Sequence, residues 1–481
     1  MKNVFILIFF LILEINANFM QFQFLRNLQS QSTNSYDYSS YQATSTNSNL
    51  NGQSLSSSTS DQSVVYITQS GITITSSTLE KTGGDSTNIK ESEFYGVNAA
   101  VLVNKGSVTI TDGKITTSAK GGNAVCATNN GVVEISGTTI TSTATNSGRG
   151  LHATYGGSIT ASKVTISSTG GSCATLATDR GEGTVTCADC TLTTAGSGSP
   201  LIYSTGTISI SGTTGTSNGA QMVVVEGKNT ATVESSSLKC TGVGNRNNVD
   251  KSGIMLYQSM SGDADTGTST FNCKSSTMEI LSTSSVYDSA PMFFITNTEA
   301  VINLENCTFT YGSGVFLDAE GTSEWGTSGS NGGAVTLKLT NQNIEGDLEI
   351  DTSSSLEVTM VNSTIKGKIN NSKNSATISI TLDSASKITL TGDSYISSLS
   401  NADSTGSNII KGSYTFADYS GNEYTATGSE SNSSTTPSSA TTTISSGNNT
   451  NSTNDTWIRI NSNYYLSYSI LLGLINILLL Y

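Results

Sequence analysis

The chain has 481 residues, a formal net charge of −14 and only 12 % charged residues. This acidic balance argues against nucleic acid as a partner, because the phosphates need a basic protein face. His152 is the single histidine, which is too few for a multi-histidine metal site and argues against a His-dependent catalytic triad. Ser, Thr, Asn, Gly, Val and Ile dominate the middle of the chain, a composition typical of strands and turns.

The N-terminal segments have the composition of a targeting signal and a spacer. Lys2 precedes the apolar run of residues 4–13, and small residues near Ala17 provide a cleavage point. The sequence therefore predicts a secretory signal peptide over residues 1–17. Residues 18–63 are rich in Ser, Gln, Asn and Thr and have no clear apolar pattern, which predicts a flexible lead.

Residues 64–420 repeat one pattern with a period of about 25 residues. The repeat is visible in "SVTITDGKITTS" (107–118) and "VVEISGTTITST" (132–143). Each block has one apolar residue in a first strand, a second at a fixed distance after a tight turn, and then a third apolar stretch. The first series is Ile67, Ile110, Ile135, Ala161, Cys187, Ile210, Val233, Cys273, Leu304, Leu339 and Met360. The second series, apolar except at Gly215, is Ile72, Ile115, Ile140, Ile166, Leu192, Gly215, Leu238, Met278, Phe309, Ile344 and Ile365.

The variable distance between these blocks, combined with their constant internal frame, is typical of a solenoid in which extra residues leave through loops. Three short strands per block predict an all-β fold, a right-handed parallel β-helix of about eleven coils. An antiparallel sandwich is the alternative, since it also has short strands at regular spacing. A sandwich does not require the same residue class at one phase of consecutive blocks, so the sequence favours the solenoid.

Several blocks also resemble a known group of proteins. "FYGVNAAVLV", "GRGLHATYGGSIT", "ATDRGEGTV", "SPLIYSTG", "LYQSMSGDADTG" and "EWGTSGSNGG" are similar to segments of secreted, surface-associated right-handed β-helix proteins of pectate-lyase-like architecture. The resemblance covers roughly residues 65–420. It implies the fold strongly and the function weakly, because this architecture carries lyases, hydrolases, carbohydrate-binding modules and adhesins.

The C-terminal segments predict a stalk and an attachment to the membrane. Residues 421–463 are rich in Ser, Thr and Asn and cannot bury enough apolar surface to fold. The hydrophobic tail of residues 464–481 has no basic residue behind it, which favours a GPI-type anchor signal over a single membrane span. The protein is therefore expected on the extracellular face of the cell surface. Acceptor sites for N-glycosylation are Asn306, Asn362, Asn370, Asn432, Asn448, Asn451 and Asn454.

Acidic residues recur in the loop after the third strand and are expected to line one edge of the rod. Asp179, Arg180 and Glu182 combine two carboxylates with a base, which a polysaccharide lyase would need for proton abstraction. The other acidic residues of this edge are Asp263, Asp265, Asp318, Glu320 and Glu324. Stacked carboxylates bind Ca²⁺, which could bridge to an acidic glycan. The plainer interpretation is that the loops of an acidic secreted protein are simply solvated.

Ser and Thr flank the second-strand residue at matched positions of successive blocks. These residues are Thr139, Thr141, Thr165, Ser167, Thr191, Thr193, Thr214 and Thr216. A flat array of hydroxyls could order water, as on an ice-binding face, or lie against a crystalline polysaccharide. Threonine is also an ordinary residue for the wet face of a strand, which is the alternative explanation.

The histidine, the cysteines and the aromatic residues are interpreted mainly as packing residues. His152 falls at the phase of Cys126 and Leu176, where a packed imidazole is expected. The pair "CADC" resembles a redox motif, but Cys187 falls at an inward position, and cysteine is readily buried as a small apolar residue. Few disulfides are expected, because neighbouring cysteines do not align between blocks. Aromatic residues that could instead stack on sugar rings are Tyr203, Tyr257, Phe293, Phe294 and Trp325.

These features together favour a membrane-anchored surface protein that is adhesive or carbohydrate-binding and has no catalytic activity. A polysaccharide lyase or hydrolase acting on an acidic glycan is the main alternative, and ice binding is a further one. The expected partner is an extracellular polysaccharide or a surface glycan, and no cofactor is expected except Ca²⁺ in the glycan-bridging interpretation. Nucleotide binding is rejected, because the Gly-rich segment 323–333 lacks the spacing of a phosphate-binding loop.

Overall fold

The computed structural model describes residues 34–429. In this range the chain forms parallel sheets of short strands stacked coil upon coil, with one short helix, so the predicted parallel β-helix is confirmed. The predicted signal peptide, the hydrophobic tail and most of the predicted stalk lie outside the described residues. The described residues all belong to one compact unit. Among residues 34–429 no helix is long and apolar enough to cross a membrane.

The strands, numbered β1–β42 in chain order, are distributed over three faces of the coil. Sheet 1 has 12 strands: β1 (Ala43–Thr46), β4 (Ser63–Ile67), β7 (Val101–Asn104), β10 (Val125–Thr128), β13 (Leu151–Ala153), β16 (Leu176–Thr178), β19 (Ile202–Ser204), β22 (Val223–Glu226), β25 (Ile254–Tyr257), β28 (Phe293–Thr296), β31 (Val315–Ala319) and β34 (Asp347–Ile350). Sheet 2 has 14 strands: β2 (Leu50–Asn51), β5 (Ile72–Thr75), β8 (Ser107–Thr111), β11 (Val132–Ser136), β14 (Ser158–Ser162), β17 (Thr184–Ala188), β20 (Thr207–Ser211), β23 (Thr230–Glu234), β26 (Thr268–Lys274), β29 (Thr298–Glu305), β32 (Gly333–Thr340), β35 (Ser355–Val361), β37 (Thr377–Leu382) and β40 (Ser398–Asn401).

The third face is divided between two sheets. Sheet 3 has 10 strands: β3 (Ser54–Ser57), β6 (Thr78–Lys81), β9 (Lys114–Thr117), β12 (Thr139–Ser142), β15 (Thr165–Ser168), β18 (Thr191–Thr194), β21 (Thr214–Ser217), β24 (Ser237–Cys240), β27 (Thr277–Ile280) and β30 (Thr308–Thr310). Sheet 4 has 4 strands: β33 (Asn343–Glu345), β36 (Thr364–Gly367), β38 (Lys387–Leu390) and β41 (Ile409–Ile410). Near the C-terminal end, β39 (Ser394–Tyr395) pairs with β42 (Phe416–Ala417).

Apolar side chains stack on one another inside the coil because successive strands pair in parallel and in register. Ile140 of β12, for example, pairs with Ile115 on one side and Ile166 on the other, and all three are buried. Strands of sheets 2 and 3 alternate buried and exposed residues, as expected when one face meets water. Several strands of sheet 1, such as β7 and β10, are buried on both faces, and their sequences are mainly apolar runs.

The turn between sheets 2 and 3 keeps nearly the same length from coil to coil. It contains one residue in the left-handed region, such as Gly137 (φ 57°) or Lys163 (φ 53°). In several coils the hydroxyl next to it accepts a hydrogen bond from the preceding coil, as when the Gly113 N–H donates to Thr138 Oγ1 over 3.2 Å. This turn explains the constant distance between the two apolar series, and the other connections absorb the extra residues.

The first members of the two apolar series, Ile67 and Ile72, are wrongly placed in the prediction. Ile67 lies in sheet 1, where it pairs with Val103, and the residues that stand above Ile110 and Ile115 are Ile74 and Leu79. The block that contains Ile74 and Leu79 is followed by a helical segment, Ile89–Tyr95, before the next coil begins, so its distance to the next block is longer than the usual period. The remaining members of both series lie in sheets 2, 3 and 4 as predicted.

The solenoid begins earlier than predicted and has more coils than the predicted eleven, with 14 strands in sheet 2. The predicted flexible lead is wrong from residue 34 onwards, because β1, β2 and β3 pair with β4, β5 and β6. Of the residues in β1, β2 and β3, only Leu50 and Leu55 pack in or against the main core, so the apolar pattern of this first coil is weak. At the other end, coils built on β37 and β40 continue past Met360.

The outer face of sheet 1 is covered by other parts of the chain. Helix α1 (Ile89–Tyr95) begins after Asn88, whose side chain accepts from the Lys90 N–H, and ends at Gly96 in the left-handed region. Beside it, Tyr38 and Tyr41 pack on an outward apolar cluster that includes Leu102 and Cys126.

Further along the same face, Trp325 packs on Val224, Met255 and Phe294. The outer side of sheet 1 therefore carries two separate apolar clusters, each covered by other segments of the chain.

The solenoid contains two disulfides within the described residues. Cys187 and Cys190 are joined within one coil, and Cys273 is joined to Cys307 of the next coil. The described residues also contain three buried free cysteines, Cys126, Cys173 and Cys240.

Candidate functional site

The three residues considered for catalysis follow strand β16 directly, but their side chains bind different partners. Asp179 is buried and forms an ion pair with Arg149 over 3.1 Å. Burial raises the pKa of Asp179 to about 7, against the opposing effect of the Arg149 charge. Arg149 Nη1 also lies 3.4 Å from His152 Nε2. Asp179, Arg149 and His152 are therefore buried together and form a structural network.

His152 lies in the outward row of sheet 1 and is completely buried. Its neighbours in the row are Cys126 and Ala177, whereas Leu176, which the sequence analysis placed at this phase, points into the core. Burial and the nearby Arg149 charge hold the pKa of His152 well below its usual value. A neutral, covered imidazole of this kind is a packing residue.

Arg180 and Glu182 are also engaged. The Arg180 guanidinium binds Asp263 at 3.1 Å and lies 3.9 Å above the centre of the Phe94 ring of helix α1. Glu182 accepts from Lys228 at 3.0 Å, and the same Lys228 ammonium contacts Asp265 at 3.0 Å. Arg180 and Lys228 therefore neutralise Asp263, Glu182 and Asp265 across three loops.

The remaining acidic residues form a separate group near the far end of sheet 1. Burial, followed by Glu320, Glu349 and Asp351, raises the pKa of Asp318 to about 7. Burial and neighbouring carboxylates raise the pKa of Glu320 as well. Glu324 is exposed on the adjoining loop. Within residues 34–429 no three His, Cys, Asp or Glu side chains are placed to hold a metal ion.

The five aromatic residues considered for stacking on sugar rings are buried or half-buried. Phe293 lies in the main core, whereas Tyr203, Tyr257, Phe294 and Trp325 belong to an outer cluster of sheet 1. Tyr257 and Trp325 pack edge to face with ring centres 5.3 Å apart. These rings are therefore engaged in packing contacts within the protein.

The hydroxyl residues lie on the exposed face of sheet 3 in two straight rows along the rod. In one row Thr165 pairs with Thr139 and Thr191, and Thr191 pairs with Thr214. The second row runs parallel to it, through Thr141, Ser167, Thr193 and Thr216. We call these two rows the hydroxyl field.

Charged residues bound the hydroxyl field on both sides. Lys114 stands at one end of the first row. At the other end Lys239 follows Thr216 in the second row and forms an ion pair with Glu279 over 2.8 Å. The field itself is uncharged, and its hydroxyls stand at the strand spacing of about 4.8 Å.

The possible glycosylation sites differ in accessibility. Asn306 and Asn362 are exposed at the turn between the second and third faces. The Asn370 side chain is buried at 2 % exposure and donates to the Asn374 carbonyl over 3.0 Å. The acceptor sites from Asn432 onwards lie outside the described residues.

A concavity that the sequence analysis did not find lies where sheet 3 ends and sheet 4 begins, between β30 and β33. We call it the bay; its volume is about 580 Å³, and Phe309, Tyr311 and Ile344 are among its lining residues. Two departures from the repeat mark it in the sequence. Phe309 replaces the usual aliphatic residue, and Gln342 replaces the Ser or Thr that several other coils have after the tight turn.

Comparison with known proteins gives no match to a family model, to a curated protein or to a solved structure.

Proposed function

We propose that this protein is an extracellular, membrane-anchored rod that binds polysaccharide or surface glycan through the hydroxyl field and catalyses no reaction. The observation that carries the proposal is the register of Thr139, Thr165, Thr191 and Thr214 on an exposed, uncharged part of the sheet 3 face. A hydroxyl both donates and accepts hydrogen bonds, as the hydroxyls of a sugar do. The sheet fixes the positions of these groups in advance, so little conformational entropy is lost on binding.

The ion pairs that engage the acidic residues around Arg180 support glycan binding over catalysis. A lyase base has to reach the proton it removes, and Arg180 is held between Asp263 and the Phe94 ring. A lyase or hydrolase of pectate-lyase-like type remains the competing proposal, and it requires these contacts to open. Calcium-assisted glycan binding at Asp263 and Asp265 would also require their pairs with Arg180 and Lys228 to separate.

Attachment to the cell surface is proposed from the terminal segments. An N-terminal signal over residues 1–17 and a hydrophobic tail over residues 464–481 are the expected features of a GPI-anchored protein. Release of the protein from intact cells by a phosphatidylinositol-specific phospholipase tests this part of the proposal. A protein retained after that treatment but lost from the membrane when residues 464–481 are deleted would indicate a single membrane span instead.

The binding proposal is tested by retention of the purified protein on insoluble polysaccharides. The double variant Thr165→Val, Thr191→Val removes hydroxyls from the centre of the hydroxyl field and keeps the branched shape of the side chains. Its matched control is Thr160→Val, Thr186→Val, which alters two paired, exposed threonines of sheet 2 in the same coils.

We expect the sheet 3 variant to lose retention and the sheet 2 variant to keep it. Equal retention of both variants, or no retention of the unaltered protein on any polysaccharide, would contradict the proposal. Polygalacturonate with Ca²⁺ is included in the panel, and an absorbance from unsaturated product that disappears in Arg180→Ala would favour the lyase.

Ice binding is a second candidate function, favoured by the same straight, evenly spaced rows of hydroxyls. Freezing-point hysteresis of the purified protein is the measurement. Hysteresis that is lost in Thr165→Val, Thr191→Val would support it, and the absence of ice shaping would rule it out.

A further inference from the structure

The bay is an interruption in the hydrogen bonding between two neighbouring coils. These coils are joined through β28 and β31 in sheet 1 and through β29 and β32 in sheet 2. On the third face β30 pairs only with β27, and β33 pairs only with β36, within the described residues. The facing edges of β30 and β33 therefore have no ladder between them, and the concavity of about 580 Å³ occupies this place.

Large aromatic residues explain why the coils separate here. The ring of Phe309 lies 5.3 Å from that of Phe316 and 5.7 Å from that of Phe293, centre to centre. Most other coils place an aliphatic residue or glycine at the position of Phe309. Three rings in contact cannot fit within the strand spacing of about 4.8 Å, so the third face opens.

Side chains cross the bay at both of its ends. At one end Gln342 Oε1 accepts from the Cys307 N–H over 2.8 Å, and Gln342 Nε2 donates to the Cys307 carbonyl over 2.7 Å. At the other end the Tyr311 hydroxyl donates to the Glu345 carbonyl over 2.6 Å. The bay is therefore short and closed at both ends, with a floor formed by Phe309 and Ile344.

We propose that the bay binds one or two residues of an uncharged saccharide, an inference that rests on the proposed function and adds a second, discrete glycan site to it. Sugar-binding pockets combine apolar or aromatic surface with a few fixed polar groups, and a volume of this size suits a ligand of one or two sugar rings. Here Phe309 and Tyr311 provide the aromatic surface, and Thr308, Asn343 and Thr364 provide exposed or half-exposed polar side chains.

The charges around the bay indicate a neutral ligand. Lys366 and Glu345 are the charged residues among its lining, and they bind each other over 2.7 Å. Neither is left to neutralise a carboxylate or an amine of the ligand. Asn343 and Thr364, which share a hydrogen bond of 2.8 Å, offer amide and hydroxyl groups of the kind that bind sugar hydroxyls.

An extended peptide is the other ligand that unpaired strand edges attract. A strand added between β30 and β33 would have to pass both the Gln342 bridge and the Tyr311 bridge. A compact ring lies between the two bridges without breaking either. The geometry therefore favours a saccharide over a peptide.

Two sources of saccharide can reach the bay. One is a free glycan, and the other is a glycan carried by the protein itself on Asn306, an exposed acceptor site that also lines the bay. The experiment therefore uses the full chain with its N-glycans and the Asn306→Gln variant side by side.

Binding is measured by methyl NMR on protein labelled at isoleucine, with glucose, mannose, N-acetylglucosamine and cellobiose as probes. Glucuronate tests the charge argument, and the peptide Thr-Thr-Ile-Thr-Ser-Thr, which copies residues 138–143, tests strand addition. The methyl resonance of Ile344, in the floor of the bay, is expected to shift with a neutral sugar. The resonance of Ile140, in a closed ladder, is expected to stay in place.

Asn343→Trp fills the bay from an exposed strand position, and Thr277→Trp places the same side chain on the closed part of sheet 3. We expect Asn343→Trp to weaken sugar binding at least about tenfold, which corresponds to about 1.4 kcal/mol, and Thr277→Trp to leave it unchanged. A shift of Ile344 only in Asn306→Gln would assign the bay to the protein's own glycan, and a shift in both forms would assign it to a free one.

The inference is overturned if no neutral sugar shifts Ile344 in either form, if glucuronate or the peptide binds in preference, or if Asn343→Trp binds sugar normally. These results are separate from the retention assay on the hydroxyl field. Retention without a shift of Ile344 leaves the proposed function standing and removes the bay site. A shift of the Ile344 resonance without retention supports the bay site and contradicts glycan binding through the hydroxyl field.

Discussion

Arg149 and Asp179 form an ion pair of 3.1 Å in which the two residues are only 6 % and 3 % exposed. Glu93 of helix α1 lies within 3.9 Å of the same guanidinium. The pair thereby connects the strand region beneath to the helix that covers it. Because removal of one partner leaves a buried charge without compensation, the two residues should matter more for stability than the exposed pairs nearby.

We predict that Arg149→Met lowers the free energy of unfolding by about 3–5 kcal/mol, because it leaves Asp179 buried without its partner. Arg180→Met is the matched control, since Arg180 pairs with Asp263 while its side chain remains 36 % exposed. The control should cost less than about 1 kcal/mol. Denaturant unfolding of both variants is the measurement, and equal losses would show that the buried pair has no special weight.

The acidic group around Asp318 predicts a pH dependence of stability. The pKa of Asp318 rises from 3.8 to about 7 in the folded protein, because the carboxyl is buried beside other carboxylates. The folded state therefore binds this proton more tightly than the unfolded state. The contribution of protonated Asp318 to the free energy of unfolding is fully present below pH 3.8 and is lost as the pH rises through about 7.

Asp318→Asn should accordingly raise the free energy of unfolding at pH 8 by on the order of 1 kcal/mol and have little effect at pH 4. Glu324→Gln, at an exposed acid on the adjoining loop, is the control and should change neither value. Denaturant unfolding at the two pH values is compared. An identical pH profile for Asp318→Asn and the unaltered protein would contradict the prediction.

Glycosylation should depend on the exposure of each acceptor asparagine. We predict that Asn306 and Asn362 carry glycans and that Asn370 does not, because the Asn370 amide is buried and hydrogen-bonded. Mass spectrometry of glycopeptides from protein secreted by a eukaryotic host is the measurement. Occupancy at Asn370 comparable with that at Asn306 would mean that this part of the coil is modified before it folds.

The two disulfides should differ in their effect on stability. Cys273 and Cys307 are separated by 34 residues, and Cys187 and Cys190 by 3. A disulfide stabilises the folded state by restricting the unfolded chain. This raises the free energy of unfolding by about 3–4 kcal/mol for the longer loop and by about 1–2 kcal/mol for the shorter one. Unfolding of the two double-alanine variants in denaturant compares these values directly, and a larger loss for the Cys187, Cys190 variant would contradict the prediction.

The interior of the solenoid could be predicted because every coil has to bury an apolar face in the same way. A coil buries its apolar face only against its neighbours, so Ile115, Ile140 and Ile166 recur at one phase of the sequence. Gly215 breaks the series for a reason that lies elsewhere in the chain. A Cβ at this position would lie 2.6 Å from Leu201 Cδ1, so the Leu201 side chain fills the space.

The surroundings of sheet 1 could not be predicted, because they depend on contacts between distant segments. Nothing in the local pattern shows that Asp179 points to Arg149, or that Arg180 is held by Phe94 and Asp263. The bay is an intermediate case. Phe309 and Gln342 differ visibly from their counterparts in other coils, but only the three-dimensional packing shows that the strands separate there.

Because the coils stack in sequence order, the number of a residue also gives its position along the axis of the solenoid. In sheet 3 the strand that carries Thr214 is followed by β24, β27 and then β30, at the edge of the bay. These steps amount to roughly 14 Å at the strand spacing. A single glycan chain that touches both places must therefore run lengthwise along the protein, and a chain lying across it can reach only one of them.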